Sequence, residues 1–299
     1  FTHAKAYSKD EFFQLIGGID PQKKNRDLFS EKYKCPAYEK IEDLRFISKP
    51  EIVVVATPAE DHYESIKKSI YFWEPKIIIS EKPLSHSIED SKEIIKICNK
   101  NGVELFVNYP RISLPGSIFI KTKIQDNTYE SPFNGTIWYS KSLFSGGVHF
   151  LNLMLSFFGE IEDLKIINKG KETNNKYEFA PSFQIRFQKG YINFISIYSQ
   201  EIFMNEFKII FKNGYLNYRN AGKYIEWYES QKEEKTFSHN SILSNPEKIK
   251  SDFLKLQKYH VDEIKKFLEN EQSHLCGSIL ALKTEEALEL IYQKCSMEV

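Results

Sequence analysis

Three short apolar runs, separated by segments of helical character, most constrain the fold of this chain. They are EIVVVA at 51–56, KIIIS at 76–80 and VELFV at 103–107. Each run is too short for a helix and contains β-branched residues, so each is predicted to be a strand buried on both faces. The segments between them, His62–Phe72 and Ser87–Lys100, suit helices, and Asn101-Gly102 is a stop signal for the second. Strands that alternate with helices predict βαβ units and a parallel sheet.

The residues before these runs extend the same pattern. FFQLIGGI at Phe12–Ile19 is predicted to be a strand leading to Asp20, and Lys23–Tyr33 a helix with a polar face. In dinucleotide-binding units, an acidic residue about 20 positions beyond a G-x-G-x-x-G fingerprint accepts hydrogen bonds from the ribose hydroxyls. Counting back from Asp20 reaches the start of the sequence. A first strand and its glycine-rich loop are therefore expected upstream of Phe1, with Thr2–Ser8 ending the first helix. Alternatively, Asp20 only begins the turn Asp20-Pro21.

After about Pro110 the pattern changes to that of an antiparallel sheet. Gly135–Phe144 alternates as a strand, and His149–Phe158 fits an amphipathic helix closed by Gly159. Five more strands joined by glycine-containing turns are predicted, at Ser182–Gln188, Tyr191–Ser199, Phe207–Phe211, Tyr215–Tyr218 and Tyr224–Tyr228. Residues 229–244 are predicted to be a loop. Helices are expected at Pro246–Asn270 and Thr284–Ser296.

These patterns predict an α/β fold class. An N-terminal Rossmann-type parallel sheet is followed by a C-terminal α+β domain with a mainly antiparallel open sheet. The expected domains are residues 1–112, which have the pattern of a dinucleotide-binding unit, and residues 113–299. The last helix is able to pack back on the first domain.

Composition narrows the classes of partner. Lys+Arg and Asp+Glu both number 41, and no basic block occurs, so neither nucleic acid nor a membrane surface is expected as a partner. No apolar run approaches the ~18–20 residues of a membrane span. The cysteines show no C-x-x-C spacing, so no metal site or redox motif is predicted and a reduced, cytoplasmic chain is expected. The four cysteines are Cys35, Cys98, Cys276 and Cys295.

Three motifs in order, each at the end of a predicted strand, resemble the glucose–fructose oxidoreductase / inositol dehydrogenase / MocA (Gfo/Idh/MocA) family. They are VVVATPAEDH at Val53–His62, IIISEKPLS at Ile77–Ser85 and FVNYPR at Phe106–Arg111. The sequence KTEEALELIYQKCS at Lys283–Ser296 resembles the family's last helix. The resemblance implies hydride exchange between NAD(P)(H) and a hydroxyl or carbonyl of a sugar, nucleotide sugar or cyclitol, and Asp20 favours NAD(H) over NADP(H). It also implies that residues 113–299 bind the substrate and form a homodimer or homotetramer through the C-terminal sheet.

The resemblance assigns the catalytic roles to Lys82 and His149. Lys82 of EKP is expected to hydrogen-bond the reacting oxygen, because a cation at a strand end stabilises a developing alkoxide. His149 is expected to exchange the proton, because imidazole titrates near neutral pH. Alternatively, Lys82 is an ordinary surface lysine and His149 satisfies local backbone. Carboxylates usual in the family are replaced by Ser145 and Asn152, so the competing hypothesis is a dinucleotide-binding regulator, or pseudoenzyme, of the same fold.

The other candidate residues lie in or near these motifs. The loop Ala56–His62 opens a helix and offers backbone N–H groups to a cofactor. The predicted cofactor residues are Asp20, Thr57, Pro58, His62, Glu81, Lys82, Asn108 and Arg111. The predicted substrate residues are Lys82, Tyr139, Lys141, His149 and Asn152. The Lys82–Pro83 peptide is expected to be cis, because the family often holds it so and X–Pro bonds adopt cis at low cost.

Overall fold

The structure, a computed structural model, describes residues 2–44, 49–171, 175, 178–197, 202–232, 240–242 and 245–296. Contacts divide the chain into two compact units. Unit 1 contains Phe1–Pro110 and Gln257–Glu285, and unit 2 contains Arg111–Leu256 and Glu286–Val299. Within the described ranges, no helix is both long and apolar enough to cross a membrane.

Unit 1 contains short parallel strands that alternate with helices. Its elements in chain order are α1 (His3–Tyr7), β1 (Gly18–Ile19), α2 (Lys23–Tyr33), β2 (Ala37–Tyr38), β3 (Ile52–Val55), α3 (His62–Trp73), β4 (Ile77–Ser80), α4 (Ile88–Lys100) and β5 (Glu104–Val107). β1 and β2 pair with each other. β3, β4 and β5 form a three-stranded parallel sheet in that order. The three apolar runs are therefore parallel strands, as the sequence predicts.

The core of unit 1 joins the beginning of the chain to a later segment. β4 lies between β3 and β5, and all four of its residues are buried. Ile77, Ile79 and Phe106 of this sheet pack with Tyr7 of α1 and with Val261 and Ile264 of α7, which spans Leu256–Leu268. Beyond α7, the backbone N–H of Val107 donates to the Cys276 carbonyl at 2.9 Å. Residues from the C-terminal third thus help to hold the strands whose ends carry the candidate site.

Unit 2 contains one large sheet with helices. The strands are β6 (Phe133–Tyr139), β7 (Ile161–Asn168), β8 (Ser182–Phe187), β9 (Gly190–Ser196), β10 (Glu206–Phe211), β11 (Gly214–Arg219), β12 (Tyr224–Lys232), β13 (Asn240–Ile242) and β14 (Glu247–Ile249). The order is β13-β12-β11-β10-β6-β9-β8-β7, and β14 also pairs with β12. Among the described strand pairs of this sheet, only the β6–β9 pair is parallel, and the others are antiparallel.

Aromatic pairs between neighbouring strands stabilise this sheet. The rings of Phe183 and Phe194 stack at 4.7 Å between centroids, and those of Phe207 and Tyr218 stack at 4.3 Å. Such cross-strand pairs add to sheet stability beyond the area they bury. The helices of this half are α5 (Pro115–Gln125), α6 (Val148–Phe158) and α8 (Ser278–Ser296), whose last residues lie in unit 2. The predicted fold class, a parallel sheet followed by a mainly antiparallel one, is confirmed.

Several predicted strand limits were wrong. The strand expected over Phe12–Ile19 is only Gly18–Ile19. β7 was missed because it is largely exposed and its register shifts twice, which breaks the alternation of apolar residues. The predicted loop at 229–244 contains the end of β12, which runs to Lys232, and β13, which pairs with it.

The C-terminal helices also differ from their predictions. The first part of the helix expected over Pro246–Asn270 is instead the strand β14, because Ile249 is buried and pairs with Ile225 of β12. Asp252 then accepts a hydrogen bond from the Leu254 N–H, and α7 begins at Leu256. The last helix begins at Ser278, six residues before the predicted start at Thr284.

Candidate functional site

The carboxyl ends of β4 and β5 bring three polar side chains together. The Glu81 carboxylate follows β4 and accepts a hydrogen bond from the Asn108 Nδ2 at 2.7 Å, after β5. The same oxygen lies 2.8 Å from Nε2 of His3, in α1. Glu81 and Asn108 are fixed by backbone bonds that extend the sheet, from Glu81 N to Val55 O and from Asn108 N to Ser80 O, each 2.8 Å long. Parallel α/β sheets bind their ligands at such strand ends.

The Glu81 carboxylate is held in its charged form. Burial alone would raise its pKa, but the hydrogen bond and charge of His3, together with the Asn108 amide, lower it below the ordinary value. Because the Nδ2 of Asn108 donates to the Glu81 carboxylate, the orientation of the Asn108 amide is fixed. Its Oδ1 must then point away from Glu81.

Asn108 Oδ1 and His3 Nδ1 are buried and have no hydrogen-bond partner among the described residues. A buried acceptor without a partner is costly, and such groups are usually satisfied by a ligand or water. The Asn108 acceptor lies beside an anion, at the strand end where the sequence predicts a cofactor. The residues present therefore fit a nicotinamide dinucleotide, whose carboxamide and ribose hydroxyls are hydrogen-bond donors.

Lys82 lies directly after Glu81 and is half-buried. Its peptide bond to Pro83 is cis, which confirms the prediction. The Lys82 backbone N–H donates to the Glu81 carboxylate, so the two residues of the EKP motif are joined by a local hydrogen bond.

His62 is buried, with 1% exposure, and its ring nitrogens lie close to carbonyl oxygens of unit 1 and to the Ser80 hydroxyl, which is 3.3 Å from Nδ1. Nε2 lies 2.9 Å from the Thr57 carbonyl, and Nδ1 lies 3.0 Å and 3.1 Å from the carbonyls of Pro83 and Leu84. Thr57 and Pro58 themselves are exposed. The imidazole is enclosed between two loops, and the cofactor contact predicted for His62 stays a prediction.

Asp20 lies at the carboxyl end of β1, as predicted. Oδ1 accepts from the Gln22 N–H at 2.8 Å, and Oδ2 accepts from Asn25 Nδ2 at 3.0 Å. The turn role and the predicted ribose role are compatible, because a carboxylate has about four acceptor positions. Lys23, which could neutralise Asp20, is instead paired with Asp27 at 2.7 Å.

In unit 2, His149 lies at the start of α6, after a π-helical segment at Leu143–Gly147. Ser142 Oγ accepts from the Ser145 N–H at 3.2 Å and lies 2.8 Å from Ser145 Oγ. Ser145, which replaces the family's carboxylate, therefore helps to cap this segment. π-Helical segments are rare and often occur at functional sites. His149 is half-buried in this position.

Gly146 allows this segment to approach β6 closely, so Gly146→Ala is expected to disturb His149. A Cβ at Gly146 would lie 2.2 Å from the Ser140 carbonyl oxygen, which forces the backbone to move. We expect Gly146→Ala to lower the free energy of unfolding by about 1–3 kcal/mol, in the range of strained backbone substitutions. Urea unfolding measures this, with Gly277→Ala as the matched control, since nothing lies within 4 Å of a Cβ there. Equal stability of both variants would contradict the assigned close packing.

Three predicted residues are enclosed within unit 2. Tyr139 is fully buried and its hydroxyl donates to the Pro181 carbonyl. Asn152 is also fully buried, in α6. The Arg111 guanidinium lies 5.4 Å from the ring centres of both Phe150 and Phe253. The ligand contacts predicted for these three residues stay predictions. Lys141 is exposed, with φ of 66°.

His260 in α7 was not identified from the sequence. It is 1% exposed, and neither ring nitrogen has a hydrogen-bond partner in the described part of the chain. Burial lowers its pKa to about 3, with His3 lowering and Glu81 raising it to smaller extents. His260 is therefore neutral in the folded protein near pH 7.

The neutral, buried His260 predicts acid sensitivity. Unfolded histidine titrates near pH 6.5, so the stability that depends on neutral His260 is complete above about 6.5 and is lost as the pH falls toward about 3. This loss is about 1.4 kcal/mol per pH unit, or about 2 kcal/mol at pH 5. We expect His260→Leu to remove this slope in urea unfolding at pH 7 and pH 5, while the exposed His86→Leu control keeps it. Parallel curves for wild type and His260→Leu would contradict the assignment.

Residues 2–109 match the model of the GFO_IDH_MocA oxidoreductase family, described as an NAD-binding Rossmann fold. The match contains the first two sequence motifs and the first four residues of the third, Phe106–Tyr109, and it confirms the resemblance that the motifs indicate. Among curated proteins, no sequence is a significant match to this chain.

Solved structures of oxidoreductases share the fold over nearly the whole chain. The WlbA dehydrogenase from Bordetella pertussis, in complex with NADH and UDP-GlcNAcA, is 16% identical with a TM-score of 0.80, covering 98% of this chain and 91% of that one. The aldose-aldose oxidoreductase from Caulobacter crescentus, complexed with glycerol, is 16% identical with a TM-score of 0.79, covering 98% and 92%. The UDP-N-acetylglucosamine 3-dehydrogenase GnnA from Acidithiobacillus ferrooxidans is 12% identical with a TM-score of 0.79, covering 97% and 92%. At these identities the likeness establishes the fold alone.

Proposed function

We propose that this chain, whose residues 2–109 match the NAD-binding domain of the Gfo/Idh/MocA oxidoreductases, transfers hydride between NAD(H) and a sugar, most specifically a nucleotide sugar. The observation that carries the proposal is the strand-end group of unit 1. There an anionic Glu81 orients Asn108, and the next residue is the half-buried Lys82. The sugar class is supported by the substrates and ligands named for WlbA and GnnA, which share the fold.

NAD(H), when bound, accepts or supplies the hydride. The side chains of this protein would do the rest. Glu81 and Asn108 would orient the nicotinamide end, since Glu81 offers an anionic acceptor and Asn108 a buried acceptor that has no partner among the described residues. The Lys82 ammonium would donate to the reacting oxygen and stabilise negative charge as it develops. His149 would exchange the proton of the substrate hydroxyl, as a general base in oxidation and a general acid in reduction.

A direct absorbance assay tests this function. Full-length protein is mixed with NAD or NADH and a panel of free and UDP-linked sugars and their uronic acids, and nicotinamide absorbance is followed at 340 nm, a wavelength specific to the reduced cofactor. Hydride exchange with at least one sugar is expected. Binding of NADH and a sugar without any exchange would support the competing function, a dinucleotide-binding regulator. Ser145 favours that alternative, because its hydroxyl is bound to Ser142 and no carboxylate stands at this position.

Asp20 predicts a preference for NAD(H). Its carboxylate would repel a 2′-phosphate and accept from a 2′-hydroxyl. We expect NADH to bind at least about tenfold more tightly than NADPH, the cost of one unfavourable charge contact of about 1.4 kcal/mol. Fluorescence titration with both dinucleotides measures the ratio. Asp20→Asn should lower it, and the control Asp126→Asn, at an exposed position of unit 2, should not. Equal affinities in the wild type would contradict this role of Asp20.

We also propose that two copies associate through the large sheet of unit 2, as the resemblance implies. Exposed apolar side chains such as Tyr191 and Ile210 lie on its strands β9 and β10. Sedimentation velocity tests the oligomeric state, and a species of monomer mass at micromolar concentration would contradict the proposal.

A further inference from the structure

Two buried side chains lie within hydrogen-bond distance of the backbone directly after Lys82. One is His62, at the start of α3. The other is Glu285, in α8, which the sequence analysis did not identify as part of the site. We propose that Glu285 is a positioning residue for Lys82: it fixes the Lys82–Leu84 backbone through the Leu84 amide, against the carbonyl contacts made by His62. This inference rests on the role proposed for Lys82.

Glu285 is a buried carboxylate whose two oxygens bind different elements of unit 1. It is 6% exposed. Oε1 accepts a hydrogen bond from the Leu84 N–H, and Oε2 accepts from Ser91 Oγ, in α4, at 2.6 Å. Leu84 and Ser91 are both fully buried. Because each oxygen of one side chain accepts a hydrogen bond from a different element, Glu285 ties the loop after β4 to α4.

His62 holds the carbonyl side of the same loop. Its Nδ1 lies 3.0 Å from the Pro83 oxygen and 3.1 Å from the Leu84 oxygen, while Nε2 lies 2.9 Å from the Thr57 oxygen. The carbonyl oxygens of Pro83, Leu84 and Thr57 are thus all within hydrogen-bond distance of one buried ring. The imidazole thus joins the loop after β4 to the loop after β3.

These contacts together restrain the residues that set the direction of Lys82. The Leu84 amide is held by Glu285, and the Pro83 and Leu84 carbonyls are held by His62. The Lys82 N–H is held in turn by Glu81. A catalytic group displaced by about 1 Å can lose about 100-fold in rate, so this degree of restraint has a functional consequence for a residue that must meet a reacting atom.

A purely structural role for Glu285 predicts a different result from a positioning role. If Glu285 only stabilises unit 1, its replacement lowers the midpoint of thermal unfolding and leaves the environment of Lys82 unchanged in the folded protein. If it positions Lys82, its replacement changes the local exchange of the Leu84 amide, the environment of the Lys82 amine and kcat, while the KM for NAD(H) is retained.

The test compares Glu285→Ala, Glu285→Gln and the control Glu74→Ala in the full-length protein. Glu74 is in unit 1, and its side chain is 74% exposed and paired only to Lys49 in the described residues. Hydrogen exchange of Leu84 is measured by NMR. The Lys82 amine is followed after reductive ¹³C-methylation and is assigned by the signal missing from Lys82→Met. Turnover is measured with the sugar that the absorbance assay identifies.

In Glu285→Ala we expect exchange of the Leu84 amide to rise about 10–100-fold, because a buried donor loses its partner. The methyl signal of Lys82 should move toward that of exposed lysines, and kcat should fall about 10–100-fold with KM for NAD(H) within about twofold. Glu285→Gln keeps an acceptor for the Leu84 amide and should recover most of kcat. If the alanine variant does not fold, the glutamine variant carries the test, with a smaller shift of the same signals expected.

Unchanged Leu84 exchange and an unchanged Lys82 signal in folded Glu285 variants would overturn the inference. Both readouts are independent of turnover. If the wild type transfers no hydride, the proposed function fails while the positioning of Lys82 is still decided by the NMR signals. If turnover occurs and the Glu285 variants match Glu74→Ala in every readout, the proposed function survives and the positioning role fails.

Discussion

Replacing Lys82 by Met is expected to lower the rate of hydride transfer by about 10²–10⁴-fold and to leave NAD(H) binding intact. The change removes the ammonium that is proposed to stabilise the reacting oxygen, and losses of this size are typical of proton-transfer and oxyanion-stabilising groups. Methionine retains much of the apolar stem, so the half-buried position should stay filled. Stopped-flow or steady-state absorbance gives the rate, and NADH fluorescence gives the binding constant.

Lys76→Met is the matched control for this experiment. Lys76 lies just before β4, the strand that Lys82 follows, and its side chain is 68% exposed and paired with Glu51. The control should keep the wild-type rate. A Lys82→Met enzyme with a near-wild-type rate would remove Lys82 from the mechanism. Parallel loss of NADH binding would instead assign Lys82 to the cofactor.

Replacing His149 by Ala is expected to lower turnover by about 10²–10⁴-fold and to change its pH profile. Imidazole is the side chain that ordinarily titrates between about pH 5 and 8, so its loss should remove one limb of the kcat profile in that range. His86→Ala is the control, because the His86 side chain is 55% exposed. A variant that is slower by a constant factor at every pH would show that His149 orients the substrate without exchanging its proton.

The fold could be predicted well where local pattern and burial agree. β4 is fully buried, β5 is mostly buried and β3 is half-buried, and their apolar runs coincide with the strands to within one residue at each end. The two-stranded β1–β2 pair and the exposed edge strand β7 were predicted poorly, because few of their side chains are buried and pairing alone defines them. β14 was not predicted as a strand, because its charged residues also suit a helix.

The candidate site could be predicted only where it is local in sequence. Glu81, Lys82 and Asn108 follow buried strands, so topology places them at strand ends. Glu285, His260 and His3 reach the same unit from distant segments, and no spacing rule connects them to the EKP motif. The enclosure of Tyr139 and Arg111 could not be predicted either, since it depends on how unit 2 packs around them.

The hydrogen bond between Leu84 and Glu285 can form only after both residues have been synthesised. It therefore sets the earliest time at which the backbone after Lys82 is held in place. The two residues are 201 positions apart in sequence. At a synthesis rate of about 5–20 residues per second, roughly 10–40 s pass between the appearance of Leu84 and that of Glu285. During this interval the Leu84 amide lacks its buried acceptor while the strands before it are already made. A ribosome-bound chain that stops short of α8 should therefore lack the Leu84–Glu285 hydrogen bond, and the backbone after Lys82 would be held by it only once Glu285 has been made.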